Sequence, residues 1–285
     1  MSADAPLLSV VVPTRDRNDA LGECLDRLAP GAQTLTASSY EVIVTDDSET
    51  GAARPLLEAR YPWARWNAGP RRGPASNRNA GAAAACGEIV VFVDDDCLPE
   101  TGWLAGYADA RRDRPTVYEG RTTCREGVTS PRQTAPENLT GGVLWSCNFA
   151  MPRAEFARLG GFDERFPFAH LEDVDLLLRI RAAGLPIVFV PHASVDHPQR
   201  RLPFGSRQAR VHQAGVLFMH LHPPVIGLAH YLYRYTRARA ARVARLPKSL
   251  DSLREIGSVA VESVVIARRW REWTRWATDV ARKLT

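Results

Sequence analysis

Apolar runs of strand length alternate with helix-spaced leucines over the first hundred residues. Leu7–Thr14 (LLSVVVPT) reads as a buried strand stopped by Pro13. Leu21, Leu25 and Leu28 then recur at helical spacing before the Pro30-Gly31 stop. Tyr40–Asp47 reads as a second strand ending in acids, Ala75–Glu88 as an alanine-rich helix ending near Gly87, and Ile89–Asp96 as a third strand. Strand, helix, strand, helix, strand predicts a parallel sheet with helical crossovers. Ligands of such sheets bind beyond the carboxyl ends of the strands. Thr14-Arg15, Asp46-Asp47 and Asp94–Asp96 all fall at such ends, so three polar clusters are expected on one edge.

Beyond Pro99 the pattern loosens. Thr116–Thr122 reads as a strand, and Arg125–Gly142 as a polar loop, mobile or substrate-facing. Glu172–Gly184 reads as a helix with Leu176, Leu177 and Ile180 inward and Gly184 as its stop. Its first turn holds Glu172, Asp173 and Asp175, where the helix dipole favours negative charge. Pro186–Pro191 is a further short strand. Near the C-terminus Val259, Ile266, Trp270, Trp273, Ala277, Val280 and Leu284 form one helical stripe, with Arg268, Arg269, Arg271, Arg275, Arg282 and Lys283 mostly off it. Tryptophan on one face and arginine on the other is expected of a helix lying in a membrane interface. The competing reading packs the stripe on the body and leaves the arginines solvated.

Charge sharpens that expectation. Residues 1–199 hold 20 Lys and Arg against 27 Asp and Glu, a net of −7; residues 200–285 hold 17 against 5, a net of +12. The acidic body thus carries a basic tail, with a second arginine-rich stretch at Tyr231–Arg245, and such a tail favours an anionic partner. Hydrophobic content of 45% and charged content of 24% are ordinary for a globular chain of 285 residues. No run of about 18 apolar residues occurs; the nearest candidate, Val211–Tyr233, contains four histidines and Pro223-Pro224 and reads as soluble or interfacial. Cys24, Cys86, Cys97, Cys124 and Cys147 are scattered, without a CxxC pair, so a reducing cytoplasm is expected rather than a disulfide framework.

The chemistry concentrates at IVVFVDDDCLPE, Ile89–Glu100. Three adjacent aspartates at the mouth of a buried strand repel one another unless a cation neutralises them, although an acidic turn or helix cap would also use aspartate. PTRDR, VTDDS, GPASNRNAG, FVDDDCLP, LGGFDERF, EDVDLLLRIRAAG and VPHASVDH occur in this order over roughly residues 7–200. Together they resemble the family 2 glycosyltransferases of the GT-A fold. The fold this implies is α/β: a Rossmann-like single domain over 1–205 with a mostly parallel central sheet, followed by a basic helical extension over 206–285.

The resemblance also implies roles. Pro13, Thr14 and Arg15 would line the nucleoside pocket, Asp47 would meet the base, and Arg78 would lie near the nucleotide. Asp94, Asp95 and Asp96 match the DXD motif, with Asp94 facing the ribose and Asp96 holding Mn²⁺ or Mg²⁺ against the diphosphate of a nucleotide-sugar donor. Asp173 matches the general base of an inverting transfer, with Glu172 as its alternate. His197 matches a histidine that completes the metal shell, with His192 competing. Trp145 and Asn148 would line the donor-sugar or acceptor pocket, Trp145 otherwise being a core residue, and His170 would orient the acceptor. The expected reaction is inverting, metal-dependent sugar transfer to a hydroxyl in glycan, polysaccharide or glycolipid assembly, by an enzyme peripheral to the cytoplasmic face of a membrane. The expected partners are a hydroxyl-bearing glycan or lipid-linked acceptor and an anionic membrane surface met through 231–285; nucleic acid is not expected. The alternative is a catalytically inactive transferase-like module that binds lipid or nucleic acid. A nucleotidyltransferase would want a glycine-rich loop after the first strand, and VVVPTRDRND has none.

Overall fold

The computed structural model describes residues 5–246 and 249–282. In chain order the elements are β1 (Leu8–Thr14), α1 (Asn18–Leu28), β2 (Tyr40–Asp46), α2 (Ala53–Arg60), β3 (Arg65–Ala68), α3 (Pro74–Ala84), β4 (Ile89–Val93), β5 (Leu98–Pro99), α4 (Trp103–Asp109) and β6 (Val117–Thr123). They continue with β7 (Gln133–Thr134), β8 (Asn148–Pro152), α5 (Arg153–Arg158), α6 (Glu172–Ala182), β9 (Ile187–Asp196) and β10 (Arg200–Arg201). Four helices close the chain: α7 (Ser206–Ala209), α8 (His212–Leu221), α9 (Leu228–Arg245) and α10 (Leu250–Arg282). Two compact units result. One comprises Met1–Arg125, Pro136–Glu164 and Glu172–Pro198; the other comprises Glu126–Ala135, Arg165–Leu171 and Gln199–Thr285.

The first unit is built on an eight-stranded sheet in the order β3-β2-β1-β4-β8-β6-β9-β5. β1 pairs in parallel with both β2 and β4, and β2 with β3, as the alternating pattern predicts. The sequence reading passed over α2 and β3, and it did not foresee that β8 enters antiparallel between β4 and β6. The alanine-rich α3 is a close-packed crossover. A Cβ on Gly81 would lie 2.4 Å from Val11 Cγ1 and 2.6 Å from Thr45 Oγ1, so only glycine lets the helix approach the sheet this closely. Behind the end of β4, Phe92 stacks on Phe149 at 4.8 Å between ring centroids, and Phe156 and Phe162 join them. These buried rings hold rigid the strand that delivers Asp94–Asp96.

The second unit is helical apart from the β7–β10 pair. That pair, together with Phe166 in its core, shows why two short segments of the expected body belong here and why the break falls at Pro198 rather than at 205. The C-terminal stripe is corrected as well. Ile266, Trp273 and Ala277 are buried with Ala214, Val216 and Leu217 of α8, so this face is occupied and unavailable to lipid. Trp270 and Val280 pack against the same core, and Leu284 lies outside the described residues. Periodicity located the apolar face, but it did not show that α8 and α9 supply a matching face within the same unit. Among the described residues no helix is long and apolar enough to cross a membrane.

Candidate active site

Strand ends of the first unit assemble the site. At the end of β1, Thr14 Oγ1 donates to Asp95 Oδ2 at 2.8 Å. Asp16 then takes a left-handed backbone (φ 53°), and the turn brings Arg17 back over the acids. Arg17 Nη1 lies 2.8 Å from Asp95 Oδ1, and its Nη2 lies 2.5 Å from Asp96 Oδ2. From α3, buried Arg78 donates to Asp94 Oδ1 at 2.6 Å and to Glu172 Oε1 at 3.3 Å. It therefore ties the β4 acids to the first turn of α6.

His197 directly follows β9. Its Nδ1–H donates to the Pro198 carbonyl oxygen at 2.8 Å, which leaves Nε2 deprotonated in the neutral ring and 3.5 Å from Asp96 Oδ1. A backbone carbonyl fixing the tautomer in this way is the usual support of a metal-ligating imidazole. Ligand atoms of Asp94, Asp96 and His197 lie within 4.8 Å of one another. A second group, Cys97, Cys147 and His197, shares the histidine. Burial pushes the Cys97 thiol well above its usual pKa, so it stays protonated and a poor ligand. The two carboxylates with one imidazole fit a hard divalent cation better.

Burial also shapes the acids. It raises Asp95 to about 7, with Arg17 pulling the other way. It raises Glu172 to about 7 against the pull of Arg78, and it raises Asp173 as well. For Arg78 burial opposes the charge, but Asp94 and Glu172 outweigh it and keep the guanidinium protonated. Glu172 Oε2 is buried with no hydrogen-bond partner among the described residues, which fits a carboxyl that gives up its proton reluctantly. Asp173 Oδ1 accepts the Val174 N–H at 2.8 Å at the start of α6. The residue preceding the pair, Leu171, is left-handed (φ 71°), as are Asp16 and Arg71. Among the described residues these are the non-glycine positions with positive φ, and each adjoins a site loop.

Asp47 is buried and accepts the backbone N–H groups of Arg71 (2.6 Å) and Gly73 (3.2 Å), so its carboxylate shapes the 69–73 loop. Gly69 is obligatory there, because a Cβ would lie 2.6 Å from Asp47 Oδ1. Beside the loop is a recess of about 260 Å³ lined by Asp46, Ser48, Arg54, Trp66, Gly69 and Arg71. Asp46, expected with Asp47 at this strand end, and Trp66, for which the sequence gave no expectation, both line this recess. Pro13 is half-buried and Arg15 is exposed. Arg17, not Arg15, reaches the acids, because the left-handed turn at Asp16 carries it back, which the sequence alone does not signal.

Asn148, expected in a sugar or acceptor pocket, is tied into the fold. Its Oδ1 accepts Trp103 Nε1–H at 2.8 Å and Tyr107 O–H at 2.7 Å, and its Nδ2 donates to the carbonyls of Arg121 and Ala193. With every polar position used and 2% exposure, it pegs α4, β6 and β9 together. Trp145 is half-buried, donates to the Glu137 carbonyl at 2.9 Å and packs against the core. His192 is exposed on β9 and lies outside the acid cluster. His170 belongs to the second unit, where it is exposed.

Strand ends, the acid triplet and the buried carboxylate pair thus meet at one edge of the sheet, and comparison with known proteins gives the class. The Glycosyl transferase family 2 sequence model matches residues 9–164, and the chain belongs to that family. It is 44% identical over 226 residues to N-acetylglucosaminyl-diphospho-decaprenol L-rhamnosyltransferase of Mycobacterium tuberculosis (strain CDC 1551 / Oshkosh), covering 62% of this chain and 72% of that protein. It is 28% identical over 232 residues to validoxylamine A glucosyltransferase of Streptomyces hygroscopicus subsp. limoneus, covering 65% of this chain and 50% of that one. The chain thus spans about half the length of the latter relative. The fold is the GT-A type. A mannosyltransferase from Pyrobaculum calidifontis, solved in complex with GDP-Man and Mn²⁺, superposes with a TM-score of 0.54 at 19% identity, covering 98% of this chain and 74% of that one.

Proposed function

We propose that the protein is an inverting, metal-dependent glycosyltransferase that moves a sugar from a nucleoside diphosphate to a hydroxyl of a lipid-diphosphate-linked acceptor. The relative at 44% identity favours a rhamnosyl donor and an amino-sugar acceptor on such a lipid. The carrying observation is the convergence of Asp94, Asp96 and His197 within 4.8 Å, tied through Arg78 to Glu172 beside Asp173. Asp94, Asp96 and His197 would hold Mn²⁺ or Mg²⁺. Such a cation offsets the charge of the departing nucleoside diphosphate.

The chain's own residues do the rest. The recess beside Trp66 receives the base, and the 69–73 loop braced by Asp47 closes one side of it. Arg17 neutralises Asp95 and Asp96 when no diphosphate is near. Asp173 takes the proton from the acceptor hydroxyl as that oxygen attacks the anomeric carbon. Glu172, held by Arg78 and raised by burial, keeps a second carboxyl beside that base without adding a full negative charge near neutral pH. A rigid base and a charge-neutralised neighbour are what an inverting displacement asks of the protein.

The enzyme is proposed to work peripherally at the cytoplasmic face, where a lipid-linked acceptor is presented. Isothermal titration with UDP, GDP and dTDP, each with Mn²⁺ and with EDTA, tests the donor half. Metal-dependent binding of one nucleotide is expected. No binding of any of them would return the acids to a structural turn and favour the basic binding module.

A further inference from the structure

Helix α10 is two helices in chemical terms. Its C-terminal half is ordinary: Ile266, Trp273 and Ala277 face inward, while Arg268, Arg271 and Arg275 face out. The N-terminal half is inverted. Its buried face is polar, with Ser252, Glu255, Ser258 and Glu262 at steps of three and four, the last three fully buried. Its outward face is apolar: Leu250 is 73% exposed, Leu253 66%, Ile256 57%, Val261 40% and Val264 51%.

The inward face is built, not accidental. Glu255 is paired with Arg132 at 3.1 Å and with Arg239. Glu262 accepts hydrogen bonds from Tyr235 O–H at 2.5 Å and Ser258 O–H at 2.7 Å. Ser258 Oγ also accepts the Gly205 N–H at 2.9 Å. Those partners fix the helix rotation, so the apolar face cannot roll inward without stranding two buried carboxylates. Phe204, 53% exposed, extends the strip, because Val261 packs on neighbouring Gly205. From Leu250 to Val264 the strip runs about 21 Å at the helical rise.

We propose that this strip is the docking face for an anionic lipid bilayer. It deepens the proposed reaction at a lipid-linked acceptor by naming the surface that would seat the enzyme beside it. Charge selects the occupant. Residues 200–285 carry a net +12 and two of their five acids are buried; at the start of the strip exposed Arg201 and Arg254 share the single carboxylate of Asp251, which leaves one positive charge in excess, and exposed Arg268 flanks its end. Apolar residues bordered by arginines match the acyl and headgroup layers of an anionic membrane. A second copy fits less well. It would set the arginine borders of two copies against each other, and like charges juxtaposed across an interface are costly.

The test is co-sedimentation of the full chain with phosphatidylcholine vesicles, with and without half phosphatidylglycerol, at low and high salt. Wild type should bind the anionic vesicles and be released by salt. Leu253→Glu/Val264→Glu should weaken that binding at least ~10-fold, Leu253→Ser/Val264→Ser should fall between, and Arg254→Ser/Arg268→Ser should reduce the salt dependence. Circular dichroism checks that the variants keep their helices. Nucleotide titration of the same preparations should be unchanged, and its loss in wild type would count against the transferase reading instead. Wild type remaining in the supernatant overturns the proposal, as does a Glu variant that binds like wild type. A concentration-dependent dimer that the same substitutions dissociate, without vesicle binding, would also overturn it and assign the face to a second copy.

Discussion

Arg78 donates to Asp94 at 2.6 Å from a position only 3% exposed, and its other nitrogen reaches Glu172 at 3.3 Å. One guanidinium from α3 thereby joins the acids at the end of β4 to those at the start of α6. Its planar fork serves two carboxylates at once, which an ammonium point charge does not. Arg78→Met should destabilise the fold by about 3–5 kcal/mol, because it leaves buried carboxyls without a counter-charge. Arg78→Lys should recover most of that stability but only part of the turnover. Urea midpoints and kcat, measured on both variants, check the split; equal losses in both would deny Arg78 its bridging role.

Asp173→Asn keeps shape and hydrogen bonding but removes the proton acceptor. Nucleotide affinity in Mn²⁺ should be unchanged while kcat falls by ~10² to 10⁴. Glu172→Gln should cost less, since Glu172 is half-neutral already near pH 7. Turnover at the wild-type level in Asp173→Asn would remove it as the base.

Burial of the pair makes a pH prediction with a definite sign. A carboxyl raised in the folded state holds its proton where the unfolded chain has lost it, so its contribution is present below the unfolded value near 4.5 and is lost as pH rises through about 7. Thermal stability should therefore decline between pH 5 and 8. Glu172→Gln should flatten this decline without abolishing it, because Asp95 is raised to about 7 as well. Activity runs the other way. As the proposed base Asp173 would act ionised, so the acid limb of the kcat profile should lie above the ordinary aspartate value. Melting curves and kcat across that range test both.

Much of this was legible in the sequence, for identifiable reasons. Valine-rich β1 and β4 are buried on both faces, so they read as continuous apolar runs, and their ends delivered Thr14 and Asp94–Asp96 to one edge. β3 escaped notice because Arg65-Trp66-Asn67-Ala68 has neither an apolar run nor a buried face. β8 is antiparallel, and its pairing is set by partners far along the chain. Asn148 was placed in a pocket by the family resemblance alone; its bonds to Trp103 and Tyr107, over 40 positions away, could not be read from the sequence. The inverted half of α10 was invisible for the same reason. Periodicity assigns apolar positions inward, and only Arg132, Arg239 and Tyr235 explain why Glu255 and Glu262 turn inward instead.

That account of Asn148 carries its own prediction. Asn148→Ala should strand the Trp103 and Tyr107 donors and two carbonyls in the core, lowering stability on the order of 3–5 kcal/mol. A residue lining a sugar site would instead raise KM for the donor with little effect on the urea midpoint. Denaturation and donor KM on the same variant decide between them.

The two histidines separate most cleanly. His197 is fully buried, its tautomer is set by the Pro198 carbonyl, and its Nε2 faces Asp96; His192 is exposed on the same strand. If imidazole completes the cation's shell, His197→Ala should weaken nucleotide binding in Mn²⁺ by ~10- to 100-fold, the usual weight of a metal-site interaction. It should leave the residual binding in EDTA unchanged, because that binding rests on the recess beside Trp66. Asp96→Ala should behave in the same way, and His192→Ala should match wild type in both conditions. Parallel titrations of the three variants read this directly. Metal-independent loss in His197→Ala would make the ring a packing residue, and the cation would then rest on Asp94 and Asp96 alone.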